Sequence, residues 1–248
     1  MIKFNHSLRY MPNPFFQFKQ FVVYHDKCAM KVGTDGVLLG SWVSPDACQT
    51  ILDIGSGTGL ISLMLAQRST ALLDAIEIDE SAYLQSLENI EHSPWKSRIH
   101  VFCTPFADFC KKMTVPTYDL IVSNPPYFNH SLCPPDTQRQ LARHSDNSLT
   151  LTELITGCTR LLVETGRLCL ILPAASNQEL EDLLVFNQLF LRKRTWVKPT
   201  PTSTFKRILV EIGKEKSGFY ENELVIETGR HIYSEEFKML TKDFYLEK

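Results

Sequence analysis

An α/β fold built on a mostly parallel sheet is predicted for this 248-residue chain by three features. From residue 50 onward, short apolar runs alternate with segments of helical period, the order that gives parallel strands covered by helices on both faces. The first run ends in a glycine-rich turn, Gly55-Ser56-Gly57-Thr58-Gly59, that opens directly into an apolar helix. The last two runs are separated only by a short Pro/Thr turn, PTPTST, too short for a crossover, so they are expected to pair as an antiparallel hairpin.

The first strand is read over 50–55, where Ile51, Leu52 and Ile54 lead into glycine, and Leu60 to Gln67 follows as a helix with a broad apolar face. Leu72 to Ile78 is the second strand, and Asp79 can cap a helix over Glu80 to Glu91. Strands over 98–102 and 118–123 come next, then a helix from Leu149 to Val163. A strand over Arg167 to Leu172 is stopped by Pro173, and a helix runs from about Ala174 to Leu189. The hairpin strands, near 191–198 and 205–213, bring the sheet to seven. The aromatic-rich first ~45 residues hold no clear helix period. Near the other end, Ser234 can cap a helix with Glu235 and Glu236 in its first turn. The expected organisation is a single domain, 1–248, with a catalytic core at 46–216, an N-terminal extension at 1–45 and a C-terminal extension at 217–248.

Composition narrows the function classes. No run of ~18 apolar residues is present, so no transmembrane helix is expected. The start, MIKFNHSLRYMPNPFF, lacks a charged n-region followed by an apolar h-region, so no signal peptide is expected. Seven cysteines with no CxxC pair argue against a disulfide scaffold or a paired-cysteine zinc site; no metal is expected, and reduced thiols in a cytoplasm fit best. The formal net charge of −2 speaks against a chain coated in basic residues. That total masks local charge: residues 1–40 carry +3, 41–190 carry −8, 191–216 carry +6 and 217–248 carry −3.

Two motifs carry chemistry. The glycines of Asp53-Ile54-Gly55-Ser56-Gly57-Thr58-Gly59 let the backbone turn tightly and approach a ligand, although a tight strand–helix turn is the plainer reading. A dinucleotide fingerprint would need glycine where Leu60 stands, and no Gly-Lys-Ser/Thr follows for a phosphate loop. At the end of the second strand, about 20 residues on, Glu77 is placed to bind ribose hydroxyls; Asp79 competes, but the helix after it gives it a cap's work. The second motif, Asn124-Pro125-Pro126-Tyr127, follows the fourth strand, at the carboxyl end where such sheets bind ligands. Its prolines make the loop stiff. An Asn oxygen and the Pro125 carbonyl can each accept one N–H of a planar amine, and Tyr127 can stack on the ring that bears it.

The Asp-x-Gly-x-Gly-x-Gly spacing resembles motif I of the class I S-adenosylmethionine-dependent methyltransferases. That resemblance implies a Rossmann-like seven-stranded fold, with Gly55, Gly57 and Gly59 under the cofactor, Asp53 near its amino-acid moiety and Glu77 on its ribose. Asn-Pro-Pro-Tyr resembles the amino-methylating branch, whose acceptors include adenine N6, guanine N2 and a glutamine amide. Phe18-Lys19-Gln20-Phe21, Cys28 to Gly40 with Lys31, Thr34 and Asp35, Ala142-Arg143-His144 and Asp243-Phe244-Tyr245-Leu246 extend the similarity over nearly the whole chain. In that conjunction the chain resembles bacterial tRNA adenine-N6 methyltransferases that modify adenine 37 of a valine tRNA. The resemblance implies S-adenosylmethionine as cofactor, tRNA as partner, catalysis by Asn124, Pro125 and Tyr127, and Lys31, Thr34 and Asp35 closing over the cofactor; for that stretch a turn packed on the sheet edge is the alternative. Many family members carry an acid a few residues after the third strand; here Pro105 stands in its place, so either Asp108, or Phe106 with backbone atoms, is expected to hold the cofactor adenine.

Competing readings are methylation of an rRNA guanine or a protein glutamine, or a degenerate fold serving as an RNA-binding module. Intact glycines together with an intact Asn-Pro-Pro-Tyr disfavour the last. For RNA contact the candidates are Phe128, Arg143, Arg194, Lys198, Lys206 and Arg207, the last four interleaved with Trp196 and Phe205; a solvated hairpin face is the alternative. His144 is expected to contact RNA or make a structural hydrogen bond, since the chemistry needs no strong base.

Overall fold

A computed structural model describes residues 13–28, 30–126 and 149–246. The N-terminal extension forms a hairpin of β1 (Phe15–Gln17) and β2 (Val22–Tyr24), followed by helix α1 (Thr34–Trp42). The core then alternates: β3 (Thr50–Ile54), α2 (Leu60–Gln67), β4 (Leu72–Glu77), α3 (Glu80–Glu91), β5 (Ile99–Cys103), α4 (Phe106–Lys112) and β6 (Tyr118–Ser123). After the undescribed stretch come α5 (Leu151–Leu161), β7 (Leu162–Pro173), α6 (Asn177–Phe186), β8 (Phe190–Lys198) and β9 (Arg207–Gly213). The chain ends with β10 (Tyr220–Val225), the short pair β11 (Glu227–Gly229) and β12 (Ile232–Tyr233), and α7 (Glu235–Thr241).

The main sheet has the order β10-β8-β9-β7-β6-β3-β4-β5. The seven strands expected from sequence are present, with β8 and β9 as the antiparallel hairpin. An eighth, β10, joins from the C-terminal extension and runs parallel to β8. Its sequence, YENELV, is half polar because it lies at an edge, and so it lacks the apolar run that marks a central strand.

Two cores cover the sheet. Ile51, Leu73, Leu120, Val122 and Leu209 point to one face, against α1, α2 and α7. Leu52, Ile54, Ile121, Leu170 and Val210 point to the other, against α4, α5 and α6. This two-sided burial makes the strands read as continuous apolar runs. Helix α1 lacks a readable period because it is buried all round from Gly36 to Trp42. Gly40 permits that packing, since a Cβ there would lie 2.6 Å from the Met64 sulfur of α2.

The two extensions meet. Lys19 N donates to Phe244 O at 2.8 Å, and the Tyr245 ring packs against Phe16, Phe18, Tyr233 and Phe237. Ser234 caps α7 by accepting from Phe237 N at 3.0 Å. Among the described residues, no helix is long and apolar enough to cross a membrane.

Candidate active site

Strand order reverses between β3 and β6: from β3 the chain moves outward to β4 and β5, then returns to the other side for β6 and β7. Loops leaving the carboxyl ends of strands diverge at such a point and open a crevice. In register, Ile54 pairs with Ile76 on one side and with Ser123 on the other. Gly55, Glu77 and Asn124 therefore leave three adjacent strands from one level, with neighbouring strands about 4.8 Å apart. Ser123 Oγ donates to Ile54 O at 2.8 Å and ties the roots of the two motif loops together.

The glycine loop has φ of +70° at Gly55 and +55° at Gly57, and a Cβ at either would meet nothing within 4 Å. The space before these two residues is open, which suits a ligand lying against bare backbone. Gly59 works differently: it starts α2 with φ +78° and faces Ser86 and Ile90 of α3. Glu77, buried at the end of β4, accepts from Gly57 N at 2.8 Å through Oε2. Its Oε1 accepts from Ile78 N and Asp79 N at 2.8 and 2.9 Å. A carboxylate offers about four lone-pair sites, so capacity remains for a ribose hydroxyl. Asp79 caps α3 by accepting from Ala82 N.

Asp53 is fully buried behind the loop, where Oδ2 accepts from Ser62 N and Oγ at 3.1 and 2.7 Å. Its Oδ1 is buried with no hydrogen-bond partner. Burial pushes its carboxyl up to about 6 against the Ser62 hydrogen bonds, with the nearby Glu77 charge adding to the rise.

Other predicted residues sit nearby. Lys31 and Thr34 are exposed at the start of α1, and Asp35 accepts from Arg207 Nε at 2.8 Å. The Cys28 thiol is pushed up to about 11 by burial and then by the charges of Glu77, Asp79 and Asp26. Just before it, Lys27 N donates to Gln85 Oε1 at 3.0 Å and seats the segment leading to Lys31 on α3. Asn124 is half-buried and Pro125 buried. Tyr127, Phe128, Arg143 and His144 lie outside the described residues.

Both adenine candidates lie on α4. Asp108 is on the exposed side of α4, ion-paired with Lys111 at 2.8 Å, which holds its carboxyl below the ordinary range. Phe106 is buried against α5, where a Cβ on Gly157 would come within 2.4 Å of its ring. The apolar surface beside the site comes instead from Ile78, 48% exposed directly after Glu77.

Three basic residues of the hairpin, Arg194, Lys198 and Arg207, are ion-paired with carboxylates of other elements. Arg194 bonds Glu181 and Glu221, both at 2.6 Å, and its side chain is only 13% exposed. Lys198 pairs with Glu223 of β10 at 2.8 Å and lies over the Phe205 ring. Lys206 is exposed, and Arg207 reaches Asp35. Because Arg207 is in register with Pro173 and Lys198 ends β8, the tip of this hairpin shares the carboxyl edge with Asn124. Among the described residues, no group of three or more His, Cys, Asp or Glu could hold a metal ion.

Sequence reasoning passed over Ser62, Ile78, Ser123 and Asn89, a buried α3 residue whose side chain bonds Tyr24 and Thr58. The polar pair Gln85 and Asn89, four apart on α3, was the available signal for the last of these.

Fold, glycine loop and switch-point crevice define a methyltransferase of class I. The profile of the methyltransferase small domain matches residues 28–198. A predicted O-methyltransferase from Agrobacterium tumefaciens superposes with a TM-score of 0.65 at 20% identity, over 85% of this chain and 96% of that one. A ribosomal protein L11 methylase from Lactobacillus delbrueckii subsp. bulgaricus does so at 0.55 and 15% identity, over 78% and 84%. Curated relatives named tRNA1(Val) (adenine(37)-N6)-methyltransferase are far more similar: that of Parabacteroides distasonis is 51% identical over 95% of this chain and 99% of its own. Those of Bacteroides fragilis and Trichodesmium erythraeum are 48% and 44% identical, over 95% and 93% of this chain and 99% and 97% of theirs. The chain belongs to the tRNA1(Val) (adenine(37)-N6)-methyltransferase family, and family and fold imply S-adenosylmethionine as cofactor.

Proposed function

We propose that this protein methylates N6 of adenine 37 in the anticodon loop of a valine tRNA. The observation that carries the chemistry is the common level of Gly55, Glu77 and Asn124 across the strand-order reversal, which sets an amine-binding motif beside a nucleoside-binding loop. The substrate comes from the relatives' names.

The residues present fit S-adenosylmethionine: open backbone at Gly55 and Gly57, a carboxylate with spare acceptor capacity at Glu77, and Ile78 as apolar surface for the adenine in place of Asp108 or Phe106. When bound, it supplies a methyl group activated by a sulfonium. Lys31, Thr34 and Asp35 approach from the N-terminal side. Asn124 Oδ1 and the Pro125 carbonyl accept the two N–H groups of the acceptor amine, turning its lone pair toward the methyl, and Tyr127 stacks on the base. An amine nitrogen becomes acidic as it is methylated, so no residue of the crevice would need to act as a strong base. Lys206 at the hairpin tip, with Phe128 and Arg143 after the motif, meets the RNA, while Lys198 is engaged by Glu223. We place the reaction in the cytoplasm, consistent with the free thiols at the six described cysteines.

Incubation with labelled S-adenosylmethionine and tRNA from a strain lacking the activity is expected to yield labelled N6-methyladenosine at position 37. Label in guanine or in protein would overturn the substrate assignment.

A further inference from the structure

Asn89 sits on the buried face of α3 at 1% exposure, and its side-chain amide makes three hydrogen bonds. Its Oδ1 accepts from Tyr24 N at 2.8 Å, and its Nδ2 donates to Tyr24 O at 2.9 Å, the pair of bonds a neighbouring strand would make to β2. The second Nδ2 hydrogen goes to Thr58 O, also at 2.9 Å, between Gly57 and Gly59 of the glycine loop. One turn earlier, Gln85 is fully buried and accepts from Lys27 N at 3.0 Å. Helix α3 thus offers two amides as a substitute strand edge for residues 24–27, but only Asn89 also holds the loop.

We propose that Asn89 is a positioning residue for cofactor binding: one amide seats the N-terminal strand and the glycine loop against each other, so that the segment reaching Lys31 to Asp35 lies in fixed register over Gly55 and Gly57. The loop is clamped from both sides, at Gly57 N by Glu77 and at Thr58 O by Asn89. An amide is the group that fits, because it alone among side chains of this size accepts once and donates twice. A carboxylate could still accept from Tyr24 N but would set its other oxygen against the carbonyls of Tyr24 and Thr58. This proposal rests on the methyltransferase reading.

The test compares Asn89→Leu, Asn89→Asp and Gln85→Leu, with S-adenosylhomocysteine as ligand in calorimetry and S-adenosylmethionine with tRNA in kinetics. Gln85→Leu also loosens the N-terminal segment but leaves Thr58 alone. Both Asn89 variants are expected to raise the ligand Kd about tenfold, the effect of leaving the loop carbonyl of Thr58 without its donor, with kcat at saturating cofactor within about threefold of the parent. Gln85→Leu is expected to lower thermal stability while shifting Kd by less than about threefold. In the unaltered protein, hydrogen exchange at the Tyr24 amide is expected to slow when S-adenosylhomocysteine binds, a measurement that survives any folding failure of the variants. Equal Kd shifts in the Asn89 and Gln85 variants, or protection confined to the loop, would overturn the role of Asn89 alone. No binding of S-adenosylhomocysteine by the unaltered protein would overturn the methyltransferase reading and this proposal with it.

Discussion

Arg207, at the start of β9, and Asp35, in the first turn of α1, form an ion pair of 2.8 Å between Nε and Oδ2 across 172 positions of chain. The pair joins the hairpin edge expected to meet RNA to the N-terminal segment expected to cover the cofactor. Both side chains are about a third exposed, so screening limits the attraction to roughly 0.5–1 kcal/mol. Asp35→Asn and Arg207→Gln are each expected to weaken cofactor binding by about two- to fivefold. In a double-mutant cycle the combined variant is expected to lose little more than either alone; full additivity of the two losses would show that the pair does not couple the segments.

Asp53 is predicted to favour function over stability. Its folded-state carboxyl lies near 6, above the ordinary 3.8, so the folded chain holds a proton that the unfolded chain has released between pH 4 and 6. Stability therefore falls as pH rises through that window, and above it the ionised group costs roughly 3 kcal/mol. Asn can keep the acceptor toward Ser62 without the charge. Asp53→Asn is expected to melt higher than the parent at pH 8, with the gap closing toward pH 4, and to bind S-adenosylmethionine more weakly. A stability gain with unchanged cofactor affinity would leave the carboxylate without a ligand role.

The parallel half of the sheet was legible because strands buried on both faces spell apolar runs, and the glycine loop and Asn124 follow two of them. Other features were hidden for physical reasons. Helix α1 is buried all round and so shows no amphipathic stripe. The charge of segment 191–216 points to a basic surface, but three of its cations are paired tertiarily: Glu221 and Glu223 arrive on β10, Glu181 on α6 and Asp35 on α1. Asn89 resembles an ordinary polar helix residue until β2 is laid across it. Pairings between distant segments leave no local pattern to read.

Glu77→Gln is a small change in shape and a large one in bonding. Both carboxylate oxygens accept from backbone N–H groups, so either orientation of the amide turns an NH2 toward a donor. The substitution is expected to cost about tenfold or more in S-adenosylmethionine affinity and to lower the melting temperature, because a backbone hydrogen bond to Glu77 is lost along with the proposed ribose acceptor. Calorimetry with retained affinity would assign the ribose to another residue.

The hairpin calls for two different outcomes from removal of basic residues. Lys206 is exposed at the carboxyl edge, and Lys206→Glu is expected to weaken tRNA binding and reduce the slope of log affinity against log salt by about 1. Arg194 is held between two carboxylates and against Trp196 and is little exposed, so Arg194→Ala is expected to lower stability with tRNA affinity nearly unchanged. Filter binding across a salt series together with thermal unfolding separates the two. An Arg194 variant that folds normally and loses salt-dependent affinity would reverse the assignment.

Asn124 gives the most direct test of the chemistry. It leaves β6 one residue past Ser123, whose hydroxyl holds Ile54 O, so its backbone position is fixed by the sheet rather than by the loop that follows. Truncation to alanine removes the acceptor proposed for the substrate amine and leaves the residues Gly55, Gly57 and Glu77 unaltered. Asn124→Ala is therefore expected to lower kcat by about 100-fold or more, the scale of losing one preorganised contact to the reacting group, while the Kd for S-adenosylmethionine stays within about threefold. Single-turnover assays with saturating cofactor and tRNA measure the first quantity and calorimetry the second. Comparable loss in both would mean that Asn124 shapes the cofactor site rather than orienting the amine, and the acceptor role would then have to be sought elsewhere along the crevice.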